Sequence, residues 1–220
     1  MKQILLILVV LLSGCKVIDP FPSTHGHPGA AAYPVTYDGH DASTPSPETM
    51  TFIGDSYVYM GAWQTWFPGS CNDGVPMETV AQVLTRVQQM PSLPPTVYLW
   101  CGINDLQDGM PRDATMAFYG TLIDTVKAKG ATRVICLSPM PLAPQYPWVT
   151  GHNLKPADVG VLCIQLSDVS AAHGAEWVNL WPAVVMPSGW CDPQYSQPAG
   201  IHLNEAGYDR VIALLQSANE

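Results

Sequence analysis

Thr49-Met50-Thr51-Phe52-Ile53-Gly54-Asp55-Ser56-Tyr57-Val58 is the stretch on which the reading of this chain turns. Thr49 to Ile53 has the composition of a short strand, and it runs straight into Gly-Asp-Ser. Tyr57 to about Trp66 then reads as an aromatic-rich helix. A serine between a strand and a helix sits at a sheet rim, where helix N-terminal amides favour developing negative charge.

Outward from there the same unit recurs. Glu78 to Met90 carries Val80, Val83, Leu84 and Val87 at helical spacing, and the Pro-rich turn Pro91 to Pro95 stops it. Thr96 to Trp100 is a buried strand candidate, followed by Cys101-Gly102-Ile103-Asn104-Asp105. Asp113 to Lys129 reads as a long helix stopped by Gly130, and Arg133 to Leu137 as a second buried strand ending in Ser138-Pro139. Pro156 to His173 is a helix with Pro near its start and Gly174 after it, and Trp177 to Leu180 is a strand. Asn204 is placed to cap a last helix, Glu205 to about Ser217. Short apolar strands alternating with helices predict an α/β fold: a parallel sheet with both faces covered. Ligands in such sheets bind beyond the C-terminal strand ends. Gly54-Asp55-Ser56, Gly102-Ile103-Asn104-Asp105 and Ser138-Pro139 all fall at that rim.

The remaining features bound the chain. Its 220 residues suit one domain plus a tail, and 47% hydrophobic with 12% charged residues supports a true core. A net charge of −9 argues against nucleic acid as a partner. Lys2 followed by the apolar run Ile4 to Leu12 predicts a signal segment over residues 1–14, too short to span a bilayer. Leu12-Ser13-Gly14-Cys15 resembles a bacterial lipobox, which implies lipidation of Cys15, export, and attachment to the cell envelope through acyl chains only, an ordinary secretory signal being the alternative. Residues 15–48 read as a flexible Pro/Gly/Ser-rich tether, and 49–220 as the globular domain. His25, His27 and His40 lack the carboxylate or cysteine cluster a metal site needs, so no metal is assigned. Cys71, Cys101, Cys136, Cys163 and Cys191 show no zinc spacing, and their pairing is not readable. Nothing assigns an oligomeric state.

Ser56 needs a base, and His202, in the turn Gly200-Ile201-His202 before the last helix, is the candidate. Acyl transfer also needs oxyanion donors: the Asn104 amide and the Ser56 backbone N–H are available. Alone, each of these is ordinary turn chemistry. Together and in this order, the strand–Gly-Asp-Ser start, the Gly-x-Asn-Asp and the Gly-Ile-His followed by Asn-Glu-Ala-Gly resemble the sequence blocks of SGNH (GDSL-type) hydrolases, from about Thr49 to the C-terminus. That resemblance implies a flavodoxin-like three-layer α/β/α sandwich with about five parallel strands. It also implies Ser56 as nucleophile, His202 as base and Asn104 in the oxyanion hole. The absence of a G-x-S-x-G elbow at Ser56 argues against the ordinary α/β-hydrolase fold.

Two positions depart from the family pattern. Met77 stands where the family has an oxyanion-hole Gly, within Asn72 to Thr79; its N–H still donates, and Gly74 takes the place if the loop registers differently. Ala199 stands where the family has the Asp that orients the base. Loss of that acid costs about 10⁴-fold in a serine protease triad. Asp192 or a backbone carbonyl near Ser196 to Ala199 is the expected replacement, Glu205 serving the helix dipole instead. No cofactor fingerprint is present. The resemblance implies a small ester substrate such as an O-acetylated glycan, a short lipid ester or a thioester. An acyltransferase and a binding protein that has lost turnover are the other two readings. Trp63, Trp66, Trp148 and Trp190 fall near the rim, either as pocket walls or as packing.

Overall fold

Phe52, Tyr98, Trp100, Ile135 and Leu137 point to one side of a sheet, while Ile53, Val97, Leu99, Val134 and Cys136 point to the other. This period-2 division of continuous apolar runs is what a parallel sheet buried on both faces requires. The computed structural model describes residues 49–144, 154–198 and 201–217. Its strands are β1 (Met50–Gly54), β2 (Ser70–Gly74), β3 (Thr96–Trp100), β4 (Arg133–Leu137) and β5 (Glu176–Val178). They form a five-stranded, all-parallel sheet in the order β2-β1-β3-β4-β5.

The helices are α1 (Ser56–Tyr59), α2 (Trp63–Trp66), α3 (Val80–Gln89), α4 (Ile103–Gln107), α5 (Arg112–Ala128), α6 (Pro156–Ala172), α7 (Trp181–Val184) and α8 (Glu205–Ser217). α3 and α5 cover one face of the sheet through Val80, Val83, Val87, Tyr119, Leu122, Ile123 and Val126. α8 covers the other through Tyr208, Val211, Ile212 and Leu215, with Trp63 and α7 beside it. The result is the expected three-layer α/β/α sandwich.

The helix over 57–66 and the end of β5 differ from expectation, and β2 is the strand that Gly69 to Cys71 mark only poorly in the sequence. The single helix expected over 57–66 is two short ones. The Trp63 indole N–H donates to the Val58 carbonyl at 2.7 Å, and the Gly61 N–H takes the same acceptor at 3.1 Å. The carbonyl a continuing helix would use is thereby spent. The ring also lies so close to Gly61 that a Cβ there would stand 2.3 Å from it. β2, Ser-Cys-Asn-Asp-Gly, has little intrinsic strand preference and is made by its partner. It pairs in register with β1 from Met50↔Ser70 to Gly54↔Gly74, and Thr51 Oγ1 donates to Asp73 Oδ2 at 2.7 Å. β5 also ends earlier than Leu180, because the Leu180 N–H leaves the ladder for Ser138 Oγ at 2.9 Å.

Cys101, Cys136, Cys163 and Cys191 are free thiols, so no disulfide joins any two of the five domain cysteines. Among the described residues no helix is long and apolar enough to cross a membrane. The signal segment, Cys15, the tether and its histidines lie outside the described residues.

Gly54 fixes the approach of β1 to β3: a Cβ there would lie 1.9 Å from the Trp100 carbonyl oxygen and 2.8 Å from Val58. Gly54→Ala is therefore expected to lose about 3 kcal/mol, the upper range for overpacking against backbone. Urea unfolding of the two proteins measures it, and a loss under about 1 kcal/mol contradicts this packing.

Candidate active site

Ser56 opens α1 at the C-terminal end of β1 and is nearly buried. Its Oγ lies 2.8 Å from His202 Nε2, a contact across 146 residues of chain. The site is set by a sharp turn. The Asp55 N–H donates to the Trp100 carbonyl at 3.2 Å, so the chain leaves β1 against the end of β3. Asp55 then caps α1, Oδ1 accepting from the Tyr57 N–H at 3.0 Å. α1 has only four residues, so its macrodipole contributes little. What it leaves for the site is the Ser56 N–H, which as the first helical position has no intrahelical acceptor.

The loop carrying Met77 is held from several sides. The Val75 N–H donates to the Gly54 carbonyl at 3.0 Å, and Asn104 Nδ2 donates to the Glu78 carbonyl at 2.9 Å. Asp105 Oδ2 accepts from the Val80 N–H at 2.8 Å, and its Oδ1 accepts from Thr115 Oγ1 at 3.3 Å. Arg86 forks onto Glu78, with Nη2 at 2.8 Å from Oε2, and also donates to the Gly54 carbonyl at 3.3 Å. Met77 sits in this clamp at φ +68°, the one positive φ of a non-glycine residue among the described residues. That left-handed geometry costs an L-residue about 1–2 kcal/mol. It gives a backbone reason why a glycine would be favoured at this position. The Met77 side chain is turned outward and 54% exposed, so it does not fill the site. The Asn104 amide has one hydrogen on Glu78 and a second left to donate.

Burial sets the electrostatics. It lowers the half-buried His202 to about 4, with no opposing carboxylate among the causes. The imidazole is therefore neutral across the physiological range. Burial pushes the Asp55 carboxyl up to about 7; the Tyr57 N–H opposes this, while Asp105 and Glu78 add repulsion. Asp55 Oδ2 has no hydrogen-bond partner among the described residues. Asp105 is also raised by burial, against the hydrogen bonds it accepts from Val80 and Thr115.

Ser56, His202, Met77 and Asn104 thus stand on adjoining loops at one sheet rim. Asp192 does not join them. Its Oδ1 accepts from the Gln194 N–H at 3.0 Å and its Oδ2 from Gln194 Nε2 at 2.7 Å, capping a short 3₁₀ turn, Pro193–Tyr195. Among the described residues no acceptor faces His202 Nδ1; Ala199 and Gly200 lie outside them. Ser138 is structural, its carbonyl accepting from the Trp100 indole at 2.9 Å. Trp63 is core, not a pocket wall, while Trp66 and Trp190 pack half-buried against that core. Trp148 lies outside the described residues. Among the described residues no group of side chains suits a metal ion. The Glu78–Arg86 clamp and the roles of Asp55 and Asp105 were not read from the sequence: Asp105 bonds Val80 across 25 residues, and the Glu78–Arg86 and Asp55–Tyr57 contacts, though local, match no motif.

The sequence model of the GDSL-like Lipase/Acylhydrolase family matches residues 52–210, more than two thirds of the chain. Among solved structures, a GDSL-like lipase from Bacteroides thetaiotaomicron superposes with a TM-score of 0.65 at 24% identity, covering 78% of this chain and 87% of that one. A lipase/acylhydrolase from Enterococcus faecalis gives a TM-score of 0.60 at 20% identity, with 77% and 93% covered. No curated protein sequence matches the chain.

Two measurements check the electrostatics. The His202 imidazole, followed by NMR and assigned with His202→Gln, is expected to titrate near 4; a value near 6.5 contradicts the buried, acid-free setting. Asp55 has a folded pKa above its unfolded one, so it favours folding at low pH and that contribution is lost as pH rises through about 7. Asp55→Asn keeps the acceptor for Tyr57, and its stability relative to wild type is expected to rise between pH 4 and 8 by on the order of 3 kcal/mol. The fixed cost of the buried amide cancels in that difference. A flat difference contradicts a neutral buried acid.

Proposed function

The chain belongs to the GDSL-like lipase/acylhydrolase family, and from that premise we propose that it is a serine ester hydrolase in which Ser56 and His202 carry an acyl-enzyme mechanism on small esters, O-acetylated glycans foremost. The observation that carries the reading is the 2.8 Å contact between Ser56 Oγ and a neutral His202 Nε2. Attack by Oγ on the ester carbonyl passes the Ser56 proton to His202. The oxyanion forms among the N–H groups of Ser56 and Met77 and the free amide hydrogen of Asn104. Collapse returns the proton from His202 to the departing alkoxide and leaves acyl-Ser56. Water, deprotonated by His202, then attacks the acyl group, and the acid and Ser56 are released. The scheme uses side chains, backbone donors and water.

No carboxylate among the described residues acts on His202, and this sets the expected rate. A lowered pKa keeps the base neutral, yet it also means that the imidazolium formed in each transition state is poorly stabilised. The enzyme is accordingly a slow dyad on generic esters. Ala199, read from the sequence, and the busy Asp192 side chain favour a second reading, a glycan-binding protein without turnover. Export and attachment to the envelope through lipidated Cys15 belong to the same proposal, since the lipobox-like Leu12-Ser13-Gly14-Cys15 supports them.

Hydrolysis of p-nitrophenyl acetate by the purified protein tests the reading. Turnover is expected, with loss to background in Ser56→Ala and a fall of about 10²-fold in Asn104→Ala. Ala199→Asp is expected to raise kcat/KM by about 10-fold or more. Equal rates in wild type and Ser56→Ala overturn the hydrolase reading in favour of binding. An added alcohol acceptor that captures most of the acetyl group points instead to acyl transfer.

A further inference from the structure

We infer that Tyr57, the residue after the nucleophile, is the positioning residue for His202, holding the base toward Ser56 from the protein core; this rests on the hydrolase reading above. Its phenolic O–H donates to the carbonyl of Ile201, the peptide that leads directly into His202. The two rings also touch edge to face, with centroids 5.8 Å apart and planes at 72°. One side chain therefore restrains both the backbone that carries the imidazole and the rotation of the imidazole itself.

Tyr57 is fit for this because it is fixed on every side. It is fully buried. Its ring stacks on Trp100 at 5.0 Å and 18°, and the Trp100 indole is bonded to the Ser138 carbonyl at the end of β4. Its N–H is held by Asp55 Oδ1 at 3.0 Å, and its carbonyl accepts from the Tyr208 hydroxyl of α8 at 2.7 Å. The geometry of the base is thus referenced to β3, β4 and α8. Because Tyr57 adjoins Ser56, the restraint on the base moves with the nucleophile. Gln197 completes the hold from the other side, its N–H donating to the His202 carbonyl at 2.9 Å and its Nε2 to the Leu203 carbonyl at 3.1 Å. A carboxylate on Nδ1 would orient the ring and stabilise its charge; this arrangement supplies the orientation alone.

Tyr57→Phe separates the role from simple packing, since it keeps the ring and the stack and removes the hydroxyl that bonds Ile201. Two readouts are taken: the NMR titration of His202, and kcat and KM for p-nitrophenyl acetate. In Tyr57→Phe the loosened turn admits water to His202, so its titration is expected to move up from about 4 toward the ordinary 6.5. kcat is expected to fall about 10-fold, with KM changed less than about 2-fold. Ser170→Ala, which removes a buried hydroxyl bonded to the Leu166 carbonyl at 2.7 Å in α6, serves as the packing control and should move neither readout. The inference is overturned if Tyr57→Phe keeps the wild-type titration and kcat, or if Ser170→Ala shifts them equally. A wild type without turnover contradicts the hydrolase reading instead, and the titration still decides the Tyr57 assignment.

Discussion

The close approach of β1 to β3 at Gly54 is the constraint on which the site depends. With no side chain at Gly54, the Trp100 carbonyl can lie against the β1 backbone and accept the Asp55 N–H. The chain then has to turn sharply out of the sheet, which puts Ser56 at the rim and Tyr57 beneath it. The Gly54 carbonyl is in turn the acceptor for Val75 and Arg86, so the loop with Met77 hangs from the same point. Asn104, two residues beyond Gly102, reaches that loop through Glu78. Three strand ends are thereby locked into one constellation by backbone contacts that tolerate little substitution. Preorganised donors of this kind are where catalytic stabilisation mostly comes from.

Against that rigid half, the proposed base is held by fewer polar contacts. Most histidine bases in this chemistry are turned and charged by a carboxylate. Here burial is what lowers His202 to about 4, and it keeps the ring neutral with no carboxylate among the described residues acting on it. Orientation comes from the turn around it: Tyr57 on Ile201, Gln197 on His202 and Leu203, and Asn204, whose Oδ1 accepts the Gly207 N–H at 3.0 Å and starts α8. The division is physically coherent, since pointing a ring and stabilising its charge are separable tasks. Under the proposed mechanism it gives up rate, because no carboxylate among the described residues faces the imidazolium, and it makes the base insensitive to mild acid.

How much of this the sequence carries depends on the range of the interaction. β3 and β4 were legible because strands buried on both faces carry continuous apolar runs, Val97 to Trp100 and Val134 to Leu137. The helices α3, α5, α6 and α8 were legible to within about two residues because their periodicity, caps and stops are local. β2 was not, since Ser70–Gly74 owes its conformation to β1. Nor was the break between α1 and α2, which the Trp63 indole makes by packing back on Val58. At the site, Ser56, Asn104 and His202 announced themselves as motif residues at element ends. Tyr57 acting on Ile201, 144 residues away, left no local signature, and Asp192 looked available only because its bonds to Gln194 cannot be seen in a string of letters.

The central claim is that Ser56 is a nucleophile activated by His202, and covalent capture tests it most directly. Intact-mass and peptide analysis after exposure to a fluorophosphonate should find one adduct, on Ser56, forming far more slowly in His202→Gln. An adduct absent from Ser56, or one that forms there at the same rate without His202, would contradict the account.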